Sequence, residues 1–152
     1  MNNPIRRATP DDATAISQVI IQSLRQSNAQ DYPPDVIAQV EKNFVPASVL
    51  ALIQQRQVFV ATIDHQVVAT ASLDHDVVRS VFVHPEHQGS GLGSQLMATL
   101  QSVAQGANID LLRVPSSITA EGFYPKLGFQ KVRDEFHGAE RTIIMERRLS
   151  PD

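Results

Sequence analysis

The sequence predicts an α/β chain of the mixed, α+β kind in three layers: a central mixed sheet, mostly antiparallel, with helices on both faces. Three observations lead there. Apolar residues recur at helical spacing through the first third of the chain, then switch near Gln57 to the short β-rich runs of a meander. A helical segment beginning at Leu92 separates the runs 77–83 and 109–114, and a crossover of that kind joins parallel strands with right-handed sense. Two further runs close the chain with no helix between them, so they pair as a hairpin. With 152 residues and no linker, repeat or low-complexity segment, one domain spanning 1–152 is expected.

A short strand at 4–8 leads to Thr9-Pro10-Asp11-Asp12, a helix start with Thr9 as N-cap, Pro10 at the first helical position and acids in the first turn. Ile16, Val19, Ile20 and Leu24 then make one apolar face. Residues 27–31 read as polar loop. Pro33 and Pro34 open a second helix carrying Val36, Ile37 and Val40, and a break at 44–46 precedes a third with Val49, Leu50 and Ile53. The β-rich runs 58–63 and 67–73 flank Asp64-His65-Gln66, a hairpin turn. Asp74-His75-Asp76 turns the chain into 77–83, which is apolar on both alternating sets apart from Arg79 and Ser80. That pattern predicts a central strand covered on both faces. The next helix sets Leu92, Leu96, Leu100 and Val103 on one stripe and ends at Gly106 as C-cap. After the strand 109–114, Ser116 or Ser117 caps a helix running to Leu127, with Gly128 at its end. The runs 129–133 and 141–149 are the last strands, around a polar loop holding His137 and Gly138.

A formal net charge of -3 without a basic block argues against nucleic acid as a partner. The chain has no cysteine, which excludes disulfides, thiolate catalysis and cysteine metal sites and fits a reducing compartment. Its five histidines show no ligand spacing, so no metal is expected. The N-terminal stretch lacks the apolar region of a signal peptide and no apolar run is long enough to span a bilayer. The expectation is a cytoplasmic protein with no membrane partner.

The chemistry concentrates in Gln88-Gly89-Ser90-Gly91-Leu92-Gly93-Ser94, between the strand 77–83 and the helix from Leu92. The first N–H groups of a helix have no intrahelical acceptor and the helix dipole favours negative charge there. Glycines at alternate positions let a phosphate approach those N–H groups and permit positive φ. A glycine-rich flexible turn is the plain alternative. A dinucleotide-binding turn is disfavoured, because the third glycine falls one place early and Ser94 stands where the last should be; Asp110 begins its strand and does not end it. A P-loop is disfavoured because no lysine follows.

Gln88-Gly89-Ser90-Gly91-Leu92-Gly93 resembles the Gln/Arg-x-x-Gly-x-Gly/Ala signature of the GCN5-related N-acetyltransferases, whose loop cradles the coenzyme A pyrophosphate. Further along, Phe123-Tyr124-Pro125-Lys126-Leu127-Gly128-Phe129 is similar to that family's Phe-Tyr-x-x-x-Gly-Phe element. Two motifs in the right order, with the family's sequence of elements, extend the resemblance over nearly the whole chain. It implies a parallel pair that splays apart. It also implies acetyl-CoA as acetyl donor without a metal, and a small-molecule or peptide amine as acceptor; a homodimer is compatible with it.

Residue by residue, the resemblance implies that Gln88, Gly89, Ser90, Gly91, Leu92, Gly93 and Ser94 bind the pyrophosphate. Val81, Phe82 and Val83 would offer backbone groups to the pantetheine arm, which pairs with them as another strand does, with the thioester carbonyl bonded near Val81. Tyr124 matches the general acid that protonates the departing thiolate; a tyrosine stays protonated at neutral pH and so can donate. The plain reading makes it a core aromatic, although Phe123 beside it is the expected core member. The family's asparagine seven places before that tyrosine is here Ser117, which serves as a pantetheine contact or as an N-cap.

The glutamate that many members use as base aligns with Val77, which cannot act. Asp74, His75 and Asp76 lie nearby and work through a water chain or are simply solvated. His84 and His87 read as structural or solvated. Acceptor specificity is expected in 26–46 and in the loop 134–140, with Asp31, Tyr32 and Arg79 lining the acceptor pocket alongside Asp74 and Asp76. Two functions follow: an N-acetyltransferase acting by direct attack in a ternary complex, or a non-catalytic acyl-CoA-binding regulatory module with the same fold.

Overall fold

The switch to a two-residue period at Gln57 is where the central layer begins. In the computed structural model, which describes residues 5–149, β2 (Gln57–Ile63), β3 (Gln66–Asp74) and β4 (Val77–Val83) form an antiparallel meander. Its first turn is tight because Asp64 and His65 both take positive φ, 51° and 67°, matching the twist of the flanking strands. β1 (Ile5–Arg7) pairs antiparallel with β2; Pro4, expected to open it, lies outside the described residues. β5 (Leu111–Ser117) lies parallel to β4, while β6 (Gln130–His137) and β7 (Glu140–Arg148) form the closing hairpin. β7 inserts beside β5, so the sheet runs β1-β2-β3-β4-β5-β7-β6.

The alternation along β2 sorts the two cores. Val58 and Val60 face α1 (Ala13–Gln26), α2 (Pro34–Glu41) and α3 (Pro46–Gln55), where Ile16, Ile20, Ile37 and Val49 are buried with them. Phe59 and Ala61 face α4 (Leu92–Gly106), whose Leu92, Leu96 and Leu100 pack on Ala69, Ala71, Leu112 and Met145. Val103 completes that stripe from a partly buried position. Burying each large aliphatic side chain contributes about 1.5–3 kcal/mol, so these two stripes fix the layering.

The helix start differs in detail from expectation. Pro10–Asp12 is a 3₁₀ turn and α1 begins at Ala13, while Asp12 reaches back to accept the Thr9 N–H at 2.8 Å and both terminal nitrogens of Arg6. The loop 27–31 contains a 3₁₀ turn, Asn28–Gln30, with Asn28 buried. Pro34–Phe44 and Pro46–Gln55 meet at 60°, because Pro46 forces Val45 into the extended region. Leu50, expected on the apolar face of α3, is 36% exposed.

Several other expectations are corrected. α4 runs through Gly106, and its left-handed terminator is Asn108, φ 63°. Asn108 donates to Gln105 O and Ile109 to Ala104 O, the paired bonds of a Schellman end, in which asparagine can replace glycine. The strand expected at 109–114 is displaced to Leu111–Ser117. The helix expected from Ser116 or Ser117 to Leu127 is absent: successive turns lead to one 3₁₀ turn, Tyr124–Leu127, with Gly128 at φ 94°. Gly122 and Pro125 explain this, since Pro125 has no N–H and its ring clashes with the carbonyl four residues back. The loop expected at 134–140 is mostly strand, turned by Gly138 and Ala139 between the paired His137 and Glu140.

Candidate active site

β4 and β5 pair only where they begin. Val77 is in register with Arg113, and the Arg113 N–H donates to Asp76 O at 3.0 Å. Residues two apart on a strand present their N–H to the same edge, so the next donor due toward β4 is residue 115. That residue is Pro115, which has none. On the other side a β-bulge bends β4 away: Thr70 pairs with Phe82 and Ser72 with Arg79, leaving Ser80 and Val81 opposite Ala71. Ser80 takes φ 56°, and the Ser72 hydroxyl holds the bulge by donating to Arg79 O at 2.7 Å. A missing donor and a bulge therefore open the sheet at its centre.

The bulge also changes which way β4 faces. It puts Val78, Val81 and Val83 on the α4 side, a spacing strict alternation forbids, and turns the Phe82 ring to Phe44 in the other core, 5.8 Å between centroids. The expectation of a strand covered on both faces is corrected: of its seven residues only Val78 is buried, because β4 borders the opening. His84 donates its N–H to Val68 O of β3 at 2.8 Å, so Val83 and Val81 direct theirs to the opposite edge, into the split. Phe82 is turned to β3 and contributes its ring to the wall of the opening.

A groove of about 1320 Å³ follows the split and reaches the N-terminus of α4. Gly91 caps that helix at φ 87° and Gly89 precedes it at φ 78°; a Cβ on either would meet nothing within 4 Å. Both glycines thus leave the helix N–H groups open to the groove. Gly93 serves packing instead, since a Cβ there would fall 3.2 Å from the Phe123 ring. Leu92 puts its side chain in the core and only its backbone at the helix end. Ser94 lines the groove, whereas the Ser90 hydroxyl turns back to donate to the His87 carbonyl. Gln88 fastens the loop through its amide nitrogen, to Val83 O at 3.2 Å and to the Ser27 hydroxyl at 3.1 Å. The sequence carries no local signal for that tie, whose partners lie 5 and 61 residues away.

Tyr124 lines the groove and is 4% exposed, its ring edge-on to Phe123 and Phe129 at 5.0 and 5.6 Å. Phe123, expected as the core member, is only partly buried and covers the start of α4, while Tyr124 is the more deeply buried of the two. Burial raises the Tyr124 pKa far above that of an ordinary tyrosine. Ser117 ends β5, lines the groove and accepts the Ala120 N–H at 3.2 Å, a cap on a turn. His84 Nδ1 accepts the Glu86 N–H at 3.1 Å, a structural role.

Tyr32 lines the groove. Its hydroxyl donates to Arg141 O at 2.8 Å and accepts the Ile118 N–H at 2.7 Å, while Asp31 accepts from the Thr119 hydroxyl at 2.7 Å. These bonds tie the loop before α2 to β7 and to the turn after β5. Arg79 lines the groove and lies 3.9 Å from Asp74. Neither Asp74 nor Asp76 is among the residues that line it, but Arg56, Glu135 and Glu140 are. Among the described residues no group of three or more acids and histidines is arranged to hold a metal. No single helix among them is long and apolar enough to cross a membrane.

A split parallel pair leading from an open helix N-terminus into the centre of a mixed sheet defines the class, a GNAT-type acetyltransferase fold. The chain belongs to that family: its model, "Acetyltransferase (GNAT) domain", matches residues 28–145. Among curated proteins, the chain is 29% identical over 139 residues to "Uncharacterized N-acetyltransferase YafP" of Escherichia coli K12, covering 89% of this chain and 87% of the relative. Among solved structures, a GCN5-related N-acetyltransferase from Rhodopseudomonas palustris superposes with a TM-score of 0.92 at 23% identity, over 97% of this chain and 96% of that one. The PaiA N-acetyltransferase of Thermoplasma acidophilum, solved in complex with coenzyme A, gives 0.83 at 18% identity over 97% and 99%.

Proposed function

We propose that this single domain transfers an acetyl group from acetyl-CoA to a primary amine of a small molecule or peptide, by direct attack in a ternary complex. The observation that carries the reading is the split: Val81 and Val83 face their N–H groups into an opening that ends on the glycine-lined helix N-terminus. Backbone donors left unpaired along a partly buried strand are unfavourable, and an extended amide-bearing arm would satisfy them as a strand does. The residues fit coenzyme A, with Gly89, Gly91 and the first N–H groups of α4 toward phosphate and Ser94 and Ser117 beside the path. Each charge-assisted bond of this kind contributes about 1.5–3 kcal/mol.

Bound acetyl-CoA supplies a thioester, from which the amine nitrogen takes the acetyl carbon as the C–N bond forms, the C–S bond breaks and the nitrogen's proton leaves to solvent. Val81 N–H stands where it can polarise a carbonyl in the split. Tyr124 lines the groove and is kept protonated by burial, so it would stabilise a leaving thiolate as a hydrogen-bond donor. With no cysteine in the chain, a thiol acyl-enzyme has no nucleophile, which favours direct attack.

Two measurements test this. Acetyl-CoA should raise the melting temperature by mass action, and thiol release against a panel of amines should depend on both substrates. Binding without release against any amine would leave the regulatory module in its place; no binding would overturn the reading.

A further inference from the structure

Arg56 takes no part in the acetyl transfer itself, yet its setting calls for a role. It ends α3 in an extended conformation, which carries its side chain off the helix axis and toward β4. The guanidinium is half-buried and donates to the Ser80 hydroxyl at 3.3 Å, at the left-handed residue of the bulge. Five N–H donors are available to an arginine, and among the described residues no carboxylate stands within ion-pair distance of this one. Arg79, also on the groove wall, has only the long contact to Asp74 at 3.9 Å. Arg113 lines the groove where the split closes but is paired with Glu146 at 3.2 Å. Burial, and then the Arg79 charge, lower the Arg56 pKa, with Asp74 opposing them. A half-buried cation beside a second, exposed one, without full neutralisation, is unfavourable unless an anion meets them.

The position separates this anion from the cofactor's phosphates. Ser80 and His84 are four residue steps apart, and at about 3.3 Å each they set the Ser80 contact of Arg56 roughly 13 Å from the end of β4 that leads to the glycine loop. That distance puts Arg56 at the reactive end of the groove. β6 and β7 also contribute acids to the groove lining, Glu135, which is paired with Arg133 at 2.6 Å, and Glu140.

We propose that Arg56 and Arg79 hold an oxyanion of the acceptor, so that the amine acetylated belongs to a small molecule carrying a carboxylate or phosphate a few bonds from its nitrogen. The inference rests on the acetyl-transfer reading and names its substrate class. A bidentate guanidinium suits either oxyanion, and Asp74 tempers the charge without abolishing it.

The test compares matched acceptors with saturating acetyl-CoA: free α-amino acids against their amides, and phosphoethanolamine against ethanolamine, with a polyamine as the cationic control. Anionic members should be favoured at least about 10-fold in kcat/KM over their neutral partners, and whichever anion class leads identifies carboxylate or phosphate. Arg56→Gln should raise KM for those acceptors about 10- to 100-fold with acetyl-CoA affinity unchanged; Arg79→Gln, at a more exposed position, should act in the same direction if Arg56→Gln folds poorly. Asp74→Asn should lower KM, an opposite sign that general damage to the fold does not produce. Inorganic phosphate, titrated calorimetrically into the coenzyme A complex, should bind wild type and fail to bind Arg56→Gln. Preference for neutral or cationic amines, or no acceptor in the panel together with equal phosphate binding to both proteins, overturns the anion site and leaves cofactor binding standing. Failure to bind acetyl-CoA overturns the acetyl-transfer reading itself.

Discussion

At Tyr124 the environment decides what kind of acid it can be. The hydroxyl of a buried tyrosine whose pKa is pushed far above its ordinary value holds its proton more tightly than a thiol does. It therefore assists a leaving thiolate as a donor of a strong hydrogen bond more than as a source of a proton. A hydrogen bond to a charged group is worth about 1.5–3 kcal/mol, and about 1.4 kcal/mol of barrier is tenfold in rate. Tyr124→Phe should thus lower kcat about 10- to 100-fold, with acetyl-CoA affinity unchanged because the ring and its contacts with Phe123 and Phe129 remain. The raised pKa adds a signature: no loss of rate from tyrosine ionisation should be visible near the ordinary tyrosine value in either protein. Steady-state rates across pH, with calorimetry for the cofactor, check both points. Equal kcat values would leave Tyr124 as a core aromatic only.

At the scale of elements, the split and the glycine loop make one device. Gly91 sits at φ 87°, where any side chain is strained, and a glutamate there would also put negative charge at the helix N-terminus. Gly91→Glu should abolish the rise in melting temperature that acetyl-CoA produces; an unchanged shift in a folded variant would move the cofactor elsewhere. Pro115 keeps the parallel pair from zipping by withholding a donor, so Pro115→Val, which restores the N–H, should stabilise the free protein and weaken acetyl-CoA binding. Tighter or equal cofactor binding in that variant would show that the bulge alone opens the sheet. Much of this device was legible beforehand: alternation located the meander, a helix between two strands required a parallel pair, and the glycine spacing marked the loop. What stayed hidden was non-local. The bulge at Ser80 depends on pairing with Ala71 and Ser72, so it reads in sequence as a plain apolar run interrupted by two polar residues. The segment 118–127 keeps the hydrophobic spacing of a helix, yet Gly122 and Pro125 override it. Arg56 looks like an ordinary charge between helix and strand, and only the tertiary fold brings it to Ser80.

For the molecule as a whole, the chain's two tyrosines lie in different cores and both are buried. Burial is the leading cause that raises each pKa; for Tyr32 the Ile118 N–H offsets part of it, and for Tyr124 nothing does. Below the ordinary tyrosine value near about 10 both folded and unfolded chains keep these protons, and the stability they permit is fully present. As pH rises past that value the unfolded chain releases them while the native state does not. The unfolded state then binds fewer protons, so stability falls with rising pH until the native pKa is reached. The slope is about 1.4 kcal/mol per pH unit for a tyrosine that ionises only on unfolding. Tyr124→Phe removes the larger of the two contributions, so its alkaline slope should be half the wild-type slope or less, whatever the variant's stability at neutral pH. Urea midpoints measured from about pH 9 to about pH 11, with tyrosinate absorbance recorded through each transition, give the comparison. Tyrosinate should appear with unfolding, not before it. Parallel alkaline slopes in the two proteins, or tyrosinate from Tyr124 in the folded state, would mean that its hydroxyl is solvated in the native molecule and that the hydrogen-bond role argued for it lacks its physical basis.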